Sequence, residues 1–478
     1  MNTDTLVQND LLYLRIAKSI EHQINNEVLK LGDKLLSIRS VCREHNVSMS
    51  TALQAYYVLE SKGLIESRPQ SGYFVCYSHK QFPDLPQTSK PLKSFGEEDT
   101  QEVISKVMGE LGNPNLTRFS FGAPATELLP IAKLNKALVQ AMRELPGSGT
   151  LYESIQGNQK LRRQIARWSY SWEGKLTEDD IITTSGCMNA IAYCMMAIAE
   201  KGDTIVVESP TYFGVLQLAQ SLGLNVLELP TNSKTGIELE ALKKAIETKK
   251  VKLCLLVSNF SNPLGSCMPD EHKREVVRLM EKHNIPLIED DLYGDIYFGD
   301  HRPTSCKTYD ESGLVMWCSS VSKILAPGYR VGWVAPGKFK EQIKRMKLYH
   351  TVSSTTLTQE VIGSFLENGR YENHLRKLRT TLHKNSLQYI RTIKDSFPAD
   401  TKLSRPQGGF MLWLELSKHI DTVQLYEQAM KHKISIAPGK IFTLQKQYSN
   451  CLRLSYGLVW NEEVESALRM LGKLISRS

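Results

Sequence analysis

No stretch of this 478-residue chain approaches about 18 uninterrupted apolar residues, so no membrane-crossing helix is expected. The opening Met1-Asn2-Thr3-Asp4 lacks both the basic start and the apolar core of a secretory leader. The nine cysteines include no CxxC pair and no metal-ligand spacing, which speaks against a zinc module, a disulfide framework or any bound metal. Most of them sit inside apolar runs such as Lys252-Leu253-Cys254-Leu255, which suits reduced thiols and a cytoplasmic protein. Charge of one sign is also scarce. Lys and Arg number 59 against 51 Asp and Glu, and the net +8 is compatible with nucleic acid but equally with many enzymes. With 41% hydrophobic and 23% charged residues, a soluble globular protein is expected, too long for one ordinary core.

The first eighty residues divide into short elements. Leu11 to Ile24 places Ile16, Ile20 and Ile24 on one helical face, and Leu31-Gly32-Asp33 closes that region with a turn. A short helix over Ser37–His45, a turn at Asn46-Val47-Ser48 and a second amphipathic helix over Met49–Lys62, ended by Gly63, follow. Leu64-Ile65-Glu66-Ser67 and Tyr73-Phe74-Val75 flank Arg68-Pro69-Gln70-Ser71-Gly72 as a two-stranded hairpin. Helix, helix-turn-helix and hairpin outline a winged helix-turn-helix. In such an outline Ser48, Ser50 and Thr51 open the recognition helix toward phosphates and base edges. Arg39, Arg43 and Arg68 are the candidate contacts to the backbone or minor groove. A helical packing module with no nucleic-acid role has the same element order.

From Ser78 to about Phe95 the chain is polar, lacks a periodic apolar face and is interrupted by Pro83, Pro86 and Pro91, which reads as a semi-extended tether. Gly96-Glu97-Glu98-Asp99-Thr100 then caps a short helix running to Leu111. The expected division is therefore a DNA-binding domain over 1–77, a linker with its helix over 78–111, and a large domain over 112–478.

Beyond Arg118, strand-like apolar runs alternate with amphipathic helices, which implies an α/β sheet covered on both faces. Ligands in such sheets gather at the carboxyl ends of the strands. Ser320-Val321-Ser322-Lys323, with Arg330 across a Pro-Gly turn, puts a lysine beside hydroxyls and an arginine fork. A desolvated lysine attacks an aldehyde to give a Schiff base, and hydroxyls with a guanidinium bind a phosphate ester. Together they describe a seat for pyridoxal phosphate with Lys323 as its covalent anchor; a surface Lys-Arg loop is the plain alternative for this stretch taken alone. Ser185-Gly186-Cys187 sits between a strand and a helix, where backbone N–H groups bind anions. Tyr212 can stack on a flat ring and Asn262 can donate to a phenolate oxygen. Asp290 can pair with a protonated ring nitrogen, and Tyr293 can donate to the ring oxygen. Taken singly, each also fits an ordinary turn; all four precede Lys323 in the order one phosphate-bearing ring requires.

Two resemblances follow from these residues. Leu12-Tyr13, Leu31-Gly32-Asp33-Lys34-Leu35, Ser37-Ile38-Arg39, Val47-Ser48, Ala55-Tyr56, Gly63-Leu64-Ile65 and Ser71-Gly72-Tyr73-Phe74-Val75 resemble the GntR winged-helix family. Leu36 and Met49 stand where that family usually has Pro and Arg. Phe121-Gly122-Ala123-Pro124, Asn262-Pro263, Asp290 with Tyr293, Ser320-Val321-Ser322-Lys323 with Arg330, Gly408-Gly409-Phe410 and Leu452-Arg453-Leu454 resemble fold-type I pyridoxal phosphate enzymes of the class I and II aminotransferase family, with a small C-terminal α/β domain. The resemblance implies that Lys323, Asp290 and Tyr293 carry the chemistry. Ser185, Gly186, Cys187, Tyr212, Asn262, Ser320, Ser322 and Arg330 would hold the cofactor. Tyr152 would reach the phosphate of a partner subunit, implying a homodimer, and Arg453 with Gly122 would hold an amino-acid carboxylate. Met188 departs from a position that is often polar.

The fusion of the two resembles the MocR subgroup of GntR regulators. That implies a homodimeric, cytoplasmic transcription factor binding double-stranded operator DNA, with an amine or amino-acid effector, or pyridoxal phosphate itself, sensed through an aldimine at Lys323. The alternative is a working aminotransferase carrying a DNA-binding appendage, since its catalytic set is present.

Overall fold

The computed structural model describes residues 12–68, 71–76, 83–91, 100–110, 112–367 and 369–478. Helix α1 (Leu12–Asn25) buries Ile16, Ala17, Ile20 and Ile24, the face its periodicity predicts. Ser37 caps α2 (Ile38–His45) by accepting the Ser40 N–H at 3.1 Å, and Asn46 turns the chain in the left-handed region. Ser48 caps α3 (Met49–Ser61) in the same way through the Thr51 N–H at 3.1 Å. Strands β1 (Ile65–Arg68) and β2 (Gly72–Val75) pair antiparallel to form the wing. Ile16, Ile24, Val41, Ala52, Tyr56, Leu59, Leu64 and Val75 close one small core over these elements. The Tyr56 hydroxyl, within that core, donates to the Leu36 carbonyl at 2.7 Å. Pro69 and Gln70 of the hairpin turn lie outside the described residues, as do Leu11 and Gly96–Asp99.

The tether expectation needs correction for its central part. Residues 83–91 form no helix or strand, yet they are fastened to the large domain. Arg405 donates to the Pro83 carbonyl at 3.2 Å, the Leu403 N–H to the Asp84 carbonyl at 2.8 Å, and the Gln87 N–H to Glu415 at 2.8 Å. The Thr231 N–H donates to the Ser89 hydroxyl at 2.8 Å. The backbone of a polar, proline-broken segment still carries donors and acceptors, and here sheet edges and side chains satisfy them. Helix α4 spans Gln101–Gly109, and Thr100 at its start makes no side-chain cap bond.

The large domain opens with β3 (Thr117–Arg118), α5 (Ile131–Glu144) and α6 (Gln159–Ser169). Its central sheet is built from β4 (Ile182–Thr184), β5 (Thr204–Ser209), β6 (Asn225–Asn232), β7 (Gly236–Ile237), β8 (Val251–Leu256), β9 (Leu287–Asp290), β10 (Val315–Ser320) and β11 (Gly332–Ala335). Their spatial order is β4-β11-β10-β9-β8-β5-β6-β7, with β10, β9, β8, β5 and β6 parallel and β11 antiparallel to both neighbours. Helices α7 (Cys187–Ile198), α8 (Phe213–Ser221), α9 (Leu239–Thr248) and α10 (Asp270–His283) are the crossovers. The parallel strands β5, β8, β9 and β10 are buried along most of their length because the sheet is covered on both faces, and their polar residues fall mainly at the carboxyl ends. Then α11 (Lys340–Thr351), α12 (Thr356–Glu367) and the long α13 (Arg370–Ser396) lead to a smaller unit. That unit consists of β12 (Lys402–Leu403), β13 (Met411–Glu415), α14 (Thr422–Lys431), β14 (Ile434–Ser435), β15 (Ala437–Pro438), β16 (Cys451–Ser455) and α15 (Glu462–Ile475). β14 pairs parallel with β3, tying the two ends of the domain together.

The winged helix meets this body at Gly63, whose φ of 64° follows α3. A Cβ there would lie 1.5 Å from Leu387 Cδ1 on α13, so a side chain would have to displace that leucine, and the positive φ itself favours glycine.

Candidate cofactor and effector site

The predicted residues converge because each follows a different strand of the parallel sheet. Gly186 and Cys187 follow β4, Tyr212 follows β5, Asn262 follows β8, Asp290 ends β9, and Ser320 ends β10 just before Ser322 and Lys323. All of these except Gly186, together with Gly122, Met188, Tyr293, Arg330 and Arg453, line one cavity of about 250 Å³. Ser185 stands beside it, its carbonyl accepting from Arg330 at 3.0 Å. Tyr152 is not brought to this cavity. It is 88% exposed, which leaves it free to meet a second copy.

At the centre, the Lys323 amine donates to the Gly122 carbonyl. Burial, and next the Arg453 guanidinium, lower its pKa to about 8, against the opposing pull of Asp290. Asp290 is buried, and burial raises its pKa to about 6, although the Cys187 thiol donates to it at 3.4 Å. Among the described residues no cation pairs with this carboxyl, and a protonated ring nitrogen would supply one. Asn262 donates to the Tyr293 hydroxyl at 3.5 Å and accepts from Arg453 at 2.9 Å. Burial raises the Tyr293 pKa, so this phenol is a proton donor at neutral pH.

At the phosphate end, Gly186 begins α7 with φ 99°, and a Cβ there would lie 2.4 Å from the Arg330 guanidinium. Only glycine leaves room for backbone and arginine to share this corner. Arg330, exposed overall, also reaches the Ser322 hydroxyl at 3.5 Å. The Ser185 N–H donates to the Asn189 side chain at 3.0 Å, which leaves the backbone cradle to Gly186 and Cys187, as expected.

Arg453 is held at the opposite end. It lies over the Phe442 ring at 5.1 Å, donates to the Ser120 carbonyl, and leaves its buried Nε without a partner. A buried guanidinium N–H with nothing to donate to is costly unless a ligand completes it. Lysine amine, hydroxyls with a guanidinium, and buried carboxyl therefore fit pyridoxal phosphate, and the orphaned Nε fits a carboxylate beyond it.

Several participants carry no sequence signal of their own: Ser120, Phe442, the thiol of Cys187, and a chain of hydroxyls reaching Glu110. Glu110, buried just beyond α4, accepts from both Tyr426 and Ser435, and the Ser435 hydroxyl lies 2.5 Å from that of Ser120.

On the winged helix, Arg39 and Arg43 are exposed near α3. Ser48, Ser50 and Thr51 are linked hydroxyl to hydroxyl at 2.8 Å, so they shape the start of the helix as well as facing outward. Arg68 stands on the wing, half-exposed. It pairs with Glu66 at 2.8 Å and lies 4.4 Å over Phe74. Met49, at the mouth of α3, is 53% exposed, so an apolar side chain occupies a place suited to a cation. Among the described residues no helix is long and apolar enough to cross a membrane, and no cluster of His, Cys, Asp or Glu could hold a metal ion.

Comparison with known proteins agrees with this architecture. Residues 12–75 match the family of bacterial regulatory proteins, gntR family, and residues 114–471 match aminotransferase class I and II. The chain is 36% identical over 466 residues to the uncharacterized HTH-type transcriptional regulator YjiR of Escherichia coli, covering 98% of this chain and 99% of that one. It is 28% identical to the HTH-type transcriptional regulator NorG of Staphylococcus aureus, covering 91% and 98%. Among solved structures, the multiple substrate aminotransferase of Thermococcus profundus superposes with a TM-score of 0.73 at 25% identity, over 79% of this chain and 95% of that one. The class thus defined is a GntR-type helix-turn-helix fused to a fold-type I aminotransferase domain. The chain belongs to the aminotransferase class I and II family, within the MocR type of GntR regulators. The aminotransferase family generally uses pyridoxal phosphate and is typically dimeric, and a GntR module implies DNA binding.

Proposed function

We propose that this protein is a cytoplasmic, pyridoxal phosphate-dependent transcriptional regulator whose grip on operator DNA changes when an amine or amino acid reaches Lys323. The division into 1–77, 78–111 and 112–478 is part of this proposal. The observation that carries it is one cavity holding a low-pKa lysine, a buried carboxyl and a carboxylate-ready arginine, in a chain that also carries a complete winged helix. When bound, pyridoxal phosphate supplies an aldehyde for amines and a ring that withdraws electrons. Lys323 offers the amine that holds it, and Asp290 keeps a proton at the ring nitrogen. Asn262 and Tyr293 donate to the ring oxygen while Tyr212 covers the ring face. Ser185, Gly186, Cys187, Ser320, Ser322 and Arg330 hold the phosphate, with Tyr152 of a second copy, so that the dimer completes the site. Gly122 and Arg453 orient the incoming carboxylate. Coupling to DNA requires the two conformations to bind that ligand with different free energies.

The test is binding of promoter DNA by wild type and Lys323→Ala across a panel of amines and amino acids, with the visible spectrum followed in parallel. An effector should shift DNA binding of the wild type alone. Identical binding in every condition would remove the sensing claim. A second reading, a functioning aminotransferase, is favoured by the near-neutral pKa of Lys323, which suits a base carrying a proton at the substrate α-carbon. Sustained amino-group transfer to a 2-oxo acid would establish it; a half-reaction that stalls would favour the regulator.

A further inference from the structure

Beyond the cofactor-facing residues, the cavity has an outer part lined by Val107 and Met108 of α4, by Phe121 and Phe213, and by two charged groups, Glu110 and Arg118. This is where the side chain of an amino acid would lie if its carboxylate were held by Arg453. The two charges are not equivalent. Both carboxylate oxygens of Glu110 already accept hydroxyl hydrogens, from Tyr426 and from Ser435, so its acceptors are engaged inside the protein. Arg118 has no such partner. Its guanidinium lies 5.3 Å over the Phe121 ring, and among the described residues no carboxylate pairs with it. An aromatic face holds a guanidinium in place while leaving its N–H fork free to donate in the plane.

The placement is also rigid. Arg118 is on β3, directly opposite Ser435 in the β3–β14 pairing, and two residues before Ser120, whose carbonyl holds Arg453. Arg118 from β3 and Arg453 from β16, the latter held by the backbone two residues beyond Arg118, thus line one cavity. One of them has a buried orphan N–H, and the other has only a ring for company.

We infer that Arg118 is a specificity-determining residue and that the preferred effector is an amino acid whose side chain ends in a carboxylate. This rests on the function proposed above and deepens it by naming the ligand class. Arg453 takes the α-carboxylate, Arg118 the distal one, and Phe121, Val107 and Met108 pack on the methylenes between. A neutral amide in the same place would lose a charge-assisted pair, and a cationic side chain would be repelled.

The experiment is titration of the cofactor-loaded full chain with L-glutamate, L-glutamine and L-lysine, following the visible spectrum of the bound cofactor. The comparison is repeated in Arg118→Gln and Arg118→Lys. Wild type should bind glutamate at least about tenfold more tightly than glutamine, the discrimination a charged hydrogen bond provides. Arg118→Gln should erase that ratio while still binding glutamine, and Arg118→Lys should restore part of it. Spectral responses that show no preference for the acid, or a preference that survives in Arg118→Gln, would overturn this inference and leave the proposed function standing. A wild-type spectrum that no amino acid perturbs would overturn both. Retained glutamine binding in Arg118→Gln is the control that separates lost recognition from a misfolded variant.

Discussion

The amine of Lys323 is the group whose behaviour the structure constrains most sharply. An ordinary lysine titrates near 10.5, and burial beside Arg453 lowers this one to about 8. At pH 7.4 about one fifth of Lys323 is then neutral and nucleophilic, against less than about one thousandth for an unperturbed lysine, a ratio of a few hundred. Because the cation is the disfavoured form, the folded cofactor-free chain binds fewer protons than the unfolded one between about pH 8 and 10.5, and stability rises with pH across that window. The direct assay is competitive labelling of cofactor-free protein with a small amine reagent, read at the Lys323 peptide by mass spectrometry from pH 6 to 11. The labelling rate should reach half its plateau near pH 8. Arg453→Gln, which removes a neighbouring cation, should move the midpoint upward, and Asp290→Asn should move it downward. A midpoint at or above pH 10, or midpoints unchanged in both variants, would refute the electrostatic account of this site.

Other consequences are equally concrete. Arg302 is buried between Asp291 and Asp295, at 2.6 Å from each, so Arg302→Met strands two buried carboxylates. It should cost about 3–5 kcal/mol in urea unfolding, and a loss below about 1 kcal/mol would refute the pairing. Asp290 has a folded pKa raised from 3.8 to about 6, so its contribution to stability falls by about 3 kcal/mol as pH rises through that interval. Asp290→Asn should remove that fall, seen as a wild-type-minus-variant difference in cofactor-free unfolding at pH 4 and pH 7. Ser48→Ala removes the cap of α3 and should destabilise the winged helix by about 1 kcal/mol, lowering affinity for promoter DNA with little change in its salt dependence. Glu110→Gln replaces a carboxylate that two hydroxyls share with an amide that can accept at one atom only. It should weaken carboxylate-ligand binding at Arg453 several-fold in a spectral titration, while Arg330-side phosphate binding is unchanged.

What the sequence showed and what it hid divide along a physical line. Lys323, Asp290, Asn262 and Tyr212 were legible because a parallel sheet delivers its strand ends to one crevice, and because ring, phosphate and aldehyde each demand particular side chains. The helices and wing of the N-terminal unit were legible from apolar spacing and from Ser37 and Ser48, which are capping residues by chemistry. The fastening of residues 83–91 was not, because it uses backbone atoms of an irregular segment against distant edges, and such bonds leave no periodic trace. Arg68 shows how strand geometry adds contacts that a motif does not name. Glu66 and Arg68 are two apart on one strand and therefore share a face, with Phe74 directly opposite Glu66, so the pairing that occupies this arginine follows from β geometry alone.

The parts of the site no motif reveals are those that connect it to the rest of the molecule. Arg453 donates to the Ser120 carbonyl; the Ser120 hydroxyl meets Ser435; Ser435 donates to Glu110; and Glu110 directly follows α4, the first helix after the linker. Val107 and Met108 of that same helix line the cavity. A carboxylate completing the orphaned Nε of Arg453, as proposed, would meet the guanidinium whose other arm anchors the far end of this chain, with its side chain beside the helix at the near end. Each link is a buried hydrogen bond whose loss leaves a polar atom unsatisfied, so the links favour moving together over breaking singly. Helix α4 is joined to the segment that leads to the winged helix, so under the proposed function these links would be the part of the site through which cavity occupancy could reach DNA.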